Sequence, residues 1–209
     1  MKIAVAALLI ALGAPIQADD AADLLRSRGN HVDEDDGKTK VSLVPSVGDK
    51  SVAEADVQAL NRLQGVVELR IIASEGISPT IFGKLNELPE VKLVAIHYRM
   101  PEESIRFLDR FPNVEILKFW ADSFVSCEEL PKLEKLRVLH HESTEGDFTM
   151  KAVERIAACQ NLEEIIILRP IPEEGIGLLK NLPHLQILEV NETVYRNNAG
   201  EQVAGDKRR

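Results

Sequence analysis

Cysteine is nearly absent from the chain. Cys127 and Cys159 are the only two, which leaves no disulfide framework and no set of thiols at the spacing of a structural zinc site. Basic residues are outnumbered, 25 Lys and Arg against 34 Asp and Glu, for a formal net charge of -9. A nucleic-acid binder needs a basic stripe that displaces counterions from phosphates, so this balance argues against that class, and the closing Lys207-Arg208-Arg209 is too short to reverse it. Long apolar runs are missing beyond the N-terminus, which excludes a polytopic membrane protein. The G-x-S-x-G and H-E-x-x-H signatures are missing too, and no nucleophile, base and orienting group occur together. What remains, 44% hydrophobic and 28% charged over 209 residues, suits one globular domain with its own core.

The N-terminus has the composition of a secretory signal peptide. Lys2 gives a positive start, Ile3 to Ala14 is an apolar run, and Pro15 to Ala18 leads into Asp19-Asp20. The run is shorter than the roughly 20 residues of a spanning helix, so residues 1–18 are expected to be removed, with export to the periplasm or beyond and no stable membrane insertion. No Cys lies nearby for a lipid anchor.

Past this segment, one phrase recurs. Asn181 to Val190 (NLPHLQILEV), Arg110 to Phe119 (RFPNVEILKF) and Glu87 to Ile96 (ELPEVKLVAI) share a pattern of apolar, Pro, polar and apolar residues followed by apolar residues at fixed steps. With the first apolar residue of the pattern L-x-x-L-x-L as anchor, the units start at Val66, Val91, Val114, Leu136, Leu162 and Leu185, with gaps of 25, 23, 22, 26 and 23 residues. Three positions on stand Leu69, Val94, Leu117, Leu139, Ile165 and Leu188; five on stand Ile71, Ile96, Phe119, His141, Ile167 and Val190. A step of two is that of a strand with one buried face. Before the anchors the step is three, through Leu63, Leu60 and Val57 in the first unit and Leu182, Leu179 and Ile176 in the last, which is one face of a helical segment. Each unit is expected to be a strand, a turn and a helical segment whose apolar faces close a core only by stacking on neighbours.

These spacings fall in the window of leucine-rich repeats, and from Val41 to about Thr193 the chain resembles a secreted bacterial leucine-rich-repeat protein. Arg169 to Thr193 is also similar to a sub-type reading T-x-V-T-D-x-G-L-x-x-L-x-x-L-x-x-L-x-L. The resemblance implies an α/β solenoid, a short curved horseshoe with a parallel concave sheet and a helical convex side. Many such repeats carry an Asn in the turn after the strand; here that position holds Ser74, Arg99, Asp122, Thr144, Pro170 and Thr193. Arg99 and Pro170 offer no side-chain acceptor there, and irregular turns are expected at both.

A solenoid has to cover its open ends. Asp19 to Gly29 has the pattern of a short helix, and Asp36-Gly37 between HVDED and KVSLV is a hairpin turn signal. Residues 19–45 are therefore assigned to an N-terminal helix and hairpin cap, 46–193 to six or seven repeats, and 194–209, polar and glycine-containing, to a flexible tail.

Several tempting residues have plainer explanations. Cys127 and Cys159 occupy core columns and are expected to be buried thiols rather than a bridge. His140 and His141 are adjacent in a strand, so they face opposite sides and cannot share a metal, and His97 lies two strands from His140. Asp33 to Asp36 lacks the spacing of a calcium loop, and Gly37 to Lys40 lacks the glycine-rich lead of a phosphate site. Asn191-Glu192-Thr193 matches a glycosylation acceptor. No metal and no cofactor are expected.

The outward strand positions carry the functional expectation. Leu93, Ile116 and Val138 form an apolar band beside Trp120, the only tryptophan, and exposed apolar patches rimmed by charge mark interaction sites, with Trp foremost among residues that dominate binding energy. Arg70, Lys118 and His140 toward one side and Glu142, Glu164 and Glu189 toward the other add a charge asymmetry. The expected site is Leu93, Ala95, His97, Ile116, Lys118, Trp120, Val138, His140 and Glu142, and the expected function is non-enzymatic binding of a protein or peptide on a rigid scaffold. The competing expectation is an envelope component that assembles by self-association or by packing into a larger complex.

Overall fold

The structure, a computed structural model, describes residues 18–44, 52–72, 78–97, 102–120, 126–143, 148–198, 201–202 and 206–207. The apolar run from Ile3 to Ala14 and the turn positions Ser74, Arg99, Asp122 and Thr144 lie outside the described residues.

Helix α1, Ala18–Ser27, ends where the Asn30 N–H donates back to the Leu25 carbonyl at 3.1 Å. Strands β1, His31–Asp35, and β2, Lys38–Leu43, then pair antiparallel across Asp36-Gly37. Both turn residues have positive φ, 46° and 72°, the two-residue geometry whose twist suits a hairpin, and Gly37 adopts it without a Cβ penalty.

From β2 onward the pairing is parallel. Strands β3 (Val66–Ile72), β4 (Leu93–His97), β5 (Ile116–Phe119), β6 (Val138–His141), β7 (Glu164–Ile167) and β8 (Ile187–Val190) follow one another in chain order. Parallel neighbours need a crossover. Helix α2 (Glu54–Leu60) lies between β2 and β3, α3 (Pro79–Phe82) between β3 and β4, a 3-10 helix over Glu102–Arg110 between β4 and β5, α4 (Met150–Ala157) between β6 and β7, and α5 (Glu173–Lys180) between β7 and β8. The fold is mixed α/β, one sheet with helical segments packed on one of its faces.

The step-two and step-three columns meet in a single core. Leu69, Val94, Leu117, Leu139, Ile165 and Leu188 are all at most 1% exposed, and they pack with Val57, Leu60, Phe82, Leu85, Ile105, Leu108, Val153, Ile156 and Leu179 of the helical side. Cys127 and Cys159 are free thiols at 0% exposure within it. No helix among the described residues is long and apolar enough to cross a membrane.

Three segments depart from expectation. Between β5 and β6, in the shortest unit, the described residues form no helix: Cys127 has φ 65°, the Leu130 N–H closes a turn on its carbonyl at 3.2 Å, and Pro131 follows. Proline lacks the donor that a helix interior requires and turns the chain out of it, so only the column's burial survives. At the N-terminal end, β2 runs parallel to β3, with Val41 beside Leu69 and Leu43 beside Ile71, so the ladder takes in Val41, where the resemblance begins, and also Thr39 and Lys40 of the segment before it. At the other end, the residues assigned to a flexible tail include all but the first residue of β9, Thr193–Asn198, which folds back antiparallel on β8 across Asn191-Glu192. Both of these turn residues have positive φ, 45° and 64°, the same tight geometry as the first hairpin. Two-residue strands β10 (Glu201–Gln202) and β11 (Asp206–Lys207) pair with β9.

The turn after α1 is tied to α2 by one carboxylate. Asp56, 5% exposed, accepts from Arg28 Nε at 2.6 Å, Asn30 Nδ2 at 2.9 Å and the Ala53 N–H at the start of α2 at 2.9 Å, while Asn30 Oδ1 accepts from the Val44 N–H at 2.8 Å. A buried charge persists only with such partners.

Candidate functional site

A strand sends alternate side chains to opposite faces, so burying Leu69, Val94 and their column turns Glu68, Leu93, Ile116, Val138, Glu164 and Ile187 outward. The register places these residues side by side across β3 to β8. A second outward row runs Arg70, Ala95, Lys118, His140, Ile166 and Glu189 in the same pairings. The third row begins with Ile72 beside His97 and continues past the strand ends, where the N–H groups of Trp120, Glu142, Leu168 and Asn191 donate to Ile96, Phe119, His141 and Ile167. All nine expected site residues therefore lie on one face.

Their exposure is graded. Leu93, His97, Ile116, Lys118, Val138, His140 and Glu142 are half-buried, Trp120 is 40% exposed, and Ala95 is only 3% exposed. Ala95 is thus the floor of the face rather than a projecting contact, because a single methyl group stands among the long side chains of Arg70 and Lys118. The Trp120 indole lies parallel to the His97 imidazole, with centroids 5.0 Å apart and planes 16° apart. Burial first, and then the charge of Arg70, hold His97 below its ordinary pKa against the pull of Glu142. The ring that supports the indole is accordingly neutral near pH 7.

The expected charge asymmetry is largely used up inside the molecule. Arg70 is paired with Glu68, and His140 Nε2 lies 2.8 Å from Glu164 Oε1. Glu189, expected at the surface, is 4% exposed beside β9. The sequence carries a signal for these pairings, an acidic and a basic side chain two positions apart on one strand, as Glu68 and Arg70 are, or near one another on adjacent strands, as His140 and Glu164 are.

His141 and Arg169 form a buried polar cluster. His141 is 0% and Arg169 2% exposed. The Arg169 guanidinium sits 4.5 Å from the Phe148 ring centroid, and its Nη2 is 3.4 Å from His141 Nε2. Phe119 and Phe148 hold the imidazole between them at 5.3 and 5.4 Å. Arg169 went unnoticed in the sequence because it stands two residues past the strand, outside the apolar columns. His140 and His141 do point to opposite sides, and no group of His, Cys, Asp and Glu among the described residues is arranged to hold a metal. The acidic run is spent on β1 and its turn, above an open cleft of about 520 Å³ bordered by Asp36, Lys38, Gln64 and Glu90.

No protein-family model, characterised protein or solved structure matches the chain.

Proposed function

We propose that this chain is an exported, non-enzymatic binding module of leucine-rich-repeat type, which takes a protein or peptide partner on the outward, concave face of its sheet. The observation that carries the reading is the band Leu93, Ile116 and Val138, adjacent in register on three strands, beside a 40% exposed Trp120 braced on His97. A face without a partner is expected to be polar; this one leaves apolar side chains in water at its centre, which a partner would cover. Repeats of 22 to 26 residues, each adding one strand to a parallel ladder, support the repeat assignment. The scaffold is pre-ordered, so little conformational entropy is lost on binding.

The test is affinity capture from the source organism's envelope extract with the chain from Asp19 onward, beside Trp120→Ala, both verified as folded by circular dichroism. One protein retained by the first and lost by the second supports the reading. Equal capture by both, or none by either, sinks it. Light scattering over a concentration series separates the competing role, since a stable homo-oligomer would point to self-assembly.

A further inference from the structure

Most charges on the outward face are already committed by the fold. Arg70 is held by Glu68, His140 by Glu164, and Glu189 is buried. Lys118 and Glu142 are left: both are half-buried, and neither makes an ion pair among the described residues. They flank the exposed indole on two sides. Lys118 lies two residues before Trp120 on β5, and Glu142 follows β6, its N–H bonded to the Phe119 carbonyl at 2.8 Å. Residue and strand spacings put their Cα atoms about 8 Å apart.

Apolar surface alone would accept any greasy segment, but these two charges would not. A cation and an anion covered by a partner and left without counter-charges lose their hydration and gain nothing in return. We infer that the occupant of this face is a peptide segment of a partner protein. Its apolar side chains lie over Leu93, Ile116, Val138 and Trp120, an acidic side chain meets Lys118 and a basic one meets Glu142. The inference rests on the face being the binding site, as proposed above. A spacing of about 8 Å is met by residues two apart in an extended segment, at roughly 6.8 Å, once side-chain reach is added. A second copy of the chain fits less well, because two molecules of net charge -9 repel as they approach.

A random dodecapeptide library displayed on phage tests this directly. It would be panned on the chain from Asp19 onward and on Lys118→Glu, Glu142→Lys and Trp120→Ala. Lys118 and Glu142 are half-buried and Trp120 is 40% exposed, all three on the outward face, and circular dichroism verifies each fold. The unsubstituted chain is expected to enrich apolar-centred peptides with one acid and one base about two positions apart. Lys118→Glu should shift enrichment to two bases and Glu142→Lys to two acids, with each wild-type-selected peptide losing roughly fivefold to tenfold in binding on either reversal. Enrichment that depends on Trp120 but ignores both reversals overturns the charge assignment and leaves the face standing. Enrichment that survives Trp120→Ala overturns both. No enrichment on the unsubstituted chain, or a Trp120-dependent homodimer in light scattering, overturns the peptide assignment, and the capture experiment then decides the face separately.

Discussion

Phe119 and Trp120 are neighbours in the chain, yet the pleat sends Phe119 into the core at 0% exposure and leaves Trp120 40% exposed. Phe119→Ala should therefore cost about 3–5 kcal/mol of stability through lost burial and a cavity, whereas Trp120→Ala, which removes an exposed side chain and its stack on His97, should cost less, about 0.5–1.5 kcal/mol. Urea unfolding of the two variants checks this, and equal losses would contradict the assigned faces. That contrast was legible in the sequence, because strand parity alone separates the two residues. Gly65 was not: its φ of 66° places any Cβ against the Gly37 carbonyl oxygen, under the hairpin turn, while its own carbonyl accepts from the Thr39 N–H at 2.7 Å. Gly37 has the same sign of φ but nothing within 4 Å of a Cβ. Gly37→Ala should cost the left-handed backbone penalty alone, about 1 kcal/mol, and Gly65→Ala clearly more, since backbone must also shift. Thermal unfolding that ranked the two the other way would refute this account of the contact.

Between elements, much of the joining is electrostatic, and little of it could be read beforehand. Along the start of the sheet, Lys92 pairs with Glu115 at 2.9 Å and Arg137 with Glu163 at 2.8 Å, each residue standing directly before its strand and each pair joining neighbouring units. Asn113 and Asn161 donate side-chain amides to the Pro89 and Glu134 carbonyls of the preceding units at 3.0 and 2.6 Å. Each such exposed pair is worth little alone, but together they favour one register. Leucine-rich repeats commonly place a bridging Asn after the strand, whereas these asparagines stand directly before the anchors Val114 and Leu162. On the helical side Glu129 takes charged hydrogen bonds from Arg106 at 2.6 Å and Lys151 at 3.0 Å, linking the 3-10 helix to α4. Arg106 chiefly, then Lys151, pull the Glu129 carboxyl from its ordinary 4.5 down to about 2. A value lowered in the folded state means that this contribution is complete above the unfolded value and disappears as pH falls through the folded one. The window is therefore about pH 4.5 to 2. Glu129→Gln should remove the part of the acid-induced stability loss that falls in this window and little above it. Urea midpoints measured across the range would show this, and a variant whose acid profile matched the parent's would exclude the network as a contributor.

At the scale of the whole molecule, each unit buries its strand and helical columns only against its neighbours, so stability resides in interfaces and the ends are decisive. The inward columns were legible throughout, because burial imposes fixed steps of two and three. The closures were only half legible. The first end has a turn signal, Asp36-Gly37, and its edge is guarded: Arg26 donates to the Val32 carbonyl of β1 through Nε and Nη2 at 3.3 and 3.2 Å and also pairs with Glu34. Such covering, with the acidic side chains of β1, protects an edge from pairing with another chain. The second end turns on Asn191-Glu192, and a glutamate at φ 64° gives no sequence signal for a hairpin, which is why β9 went unseen. Without β9, strand β8 would present an unpaired edge, and Tyr195, packed against the core with Lys180 Nζ 5.1 Å from its ring, would be lost. A chain ended after Glu192 should therefore melt at a lower temperature and associate as its concentration rises, as an exposed edge strand does, whereas Arg26→Ala should weaken only the first end. Light scattering and circular dichroism melts on both variants separate the two closures. A truncated chain that stayed monomeric with an unchanged melting temperature would mean that β9 lies on the sheet without sealing it, and that β8 closes the stack unaided.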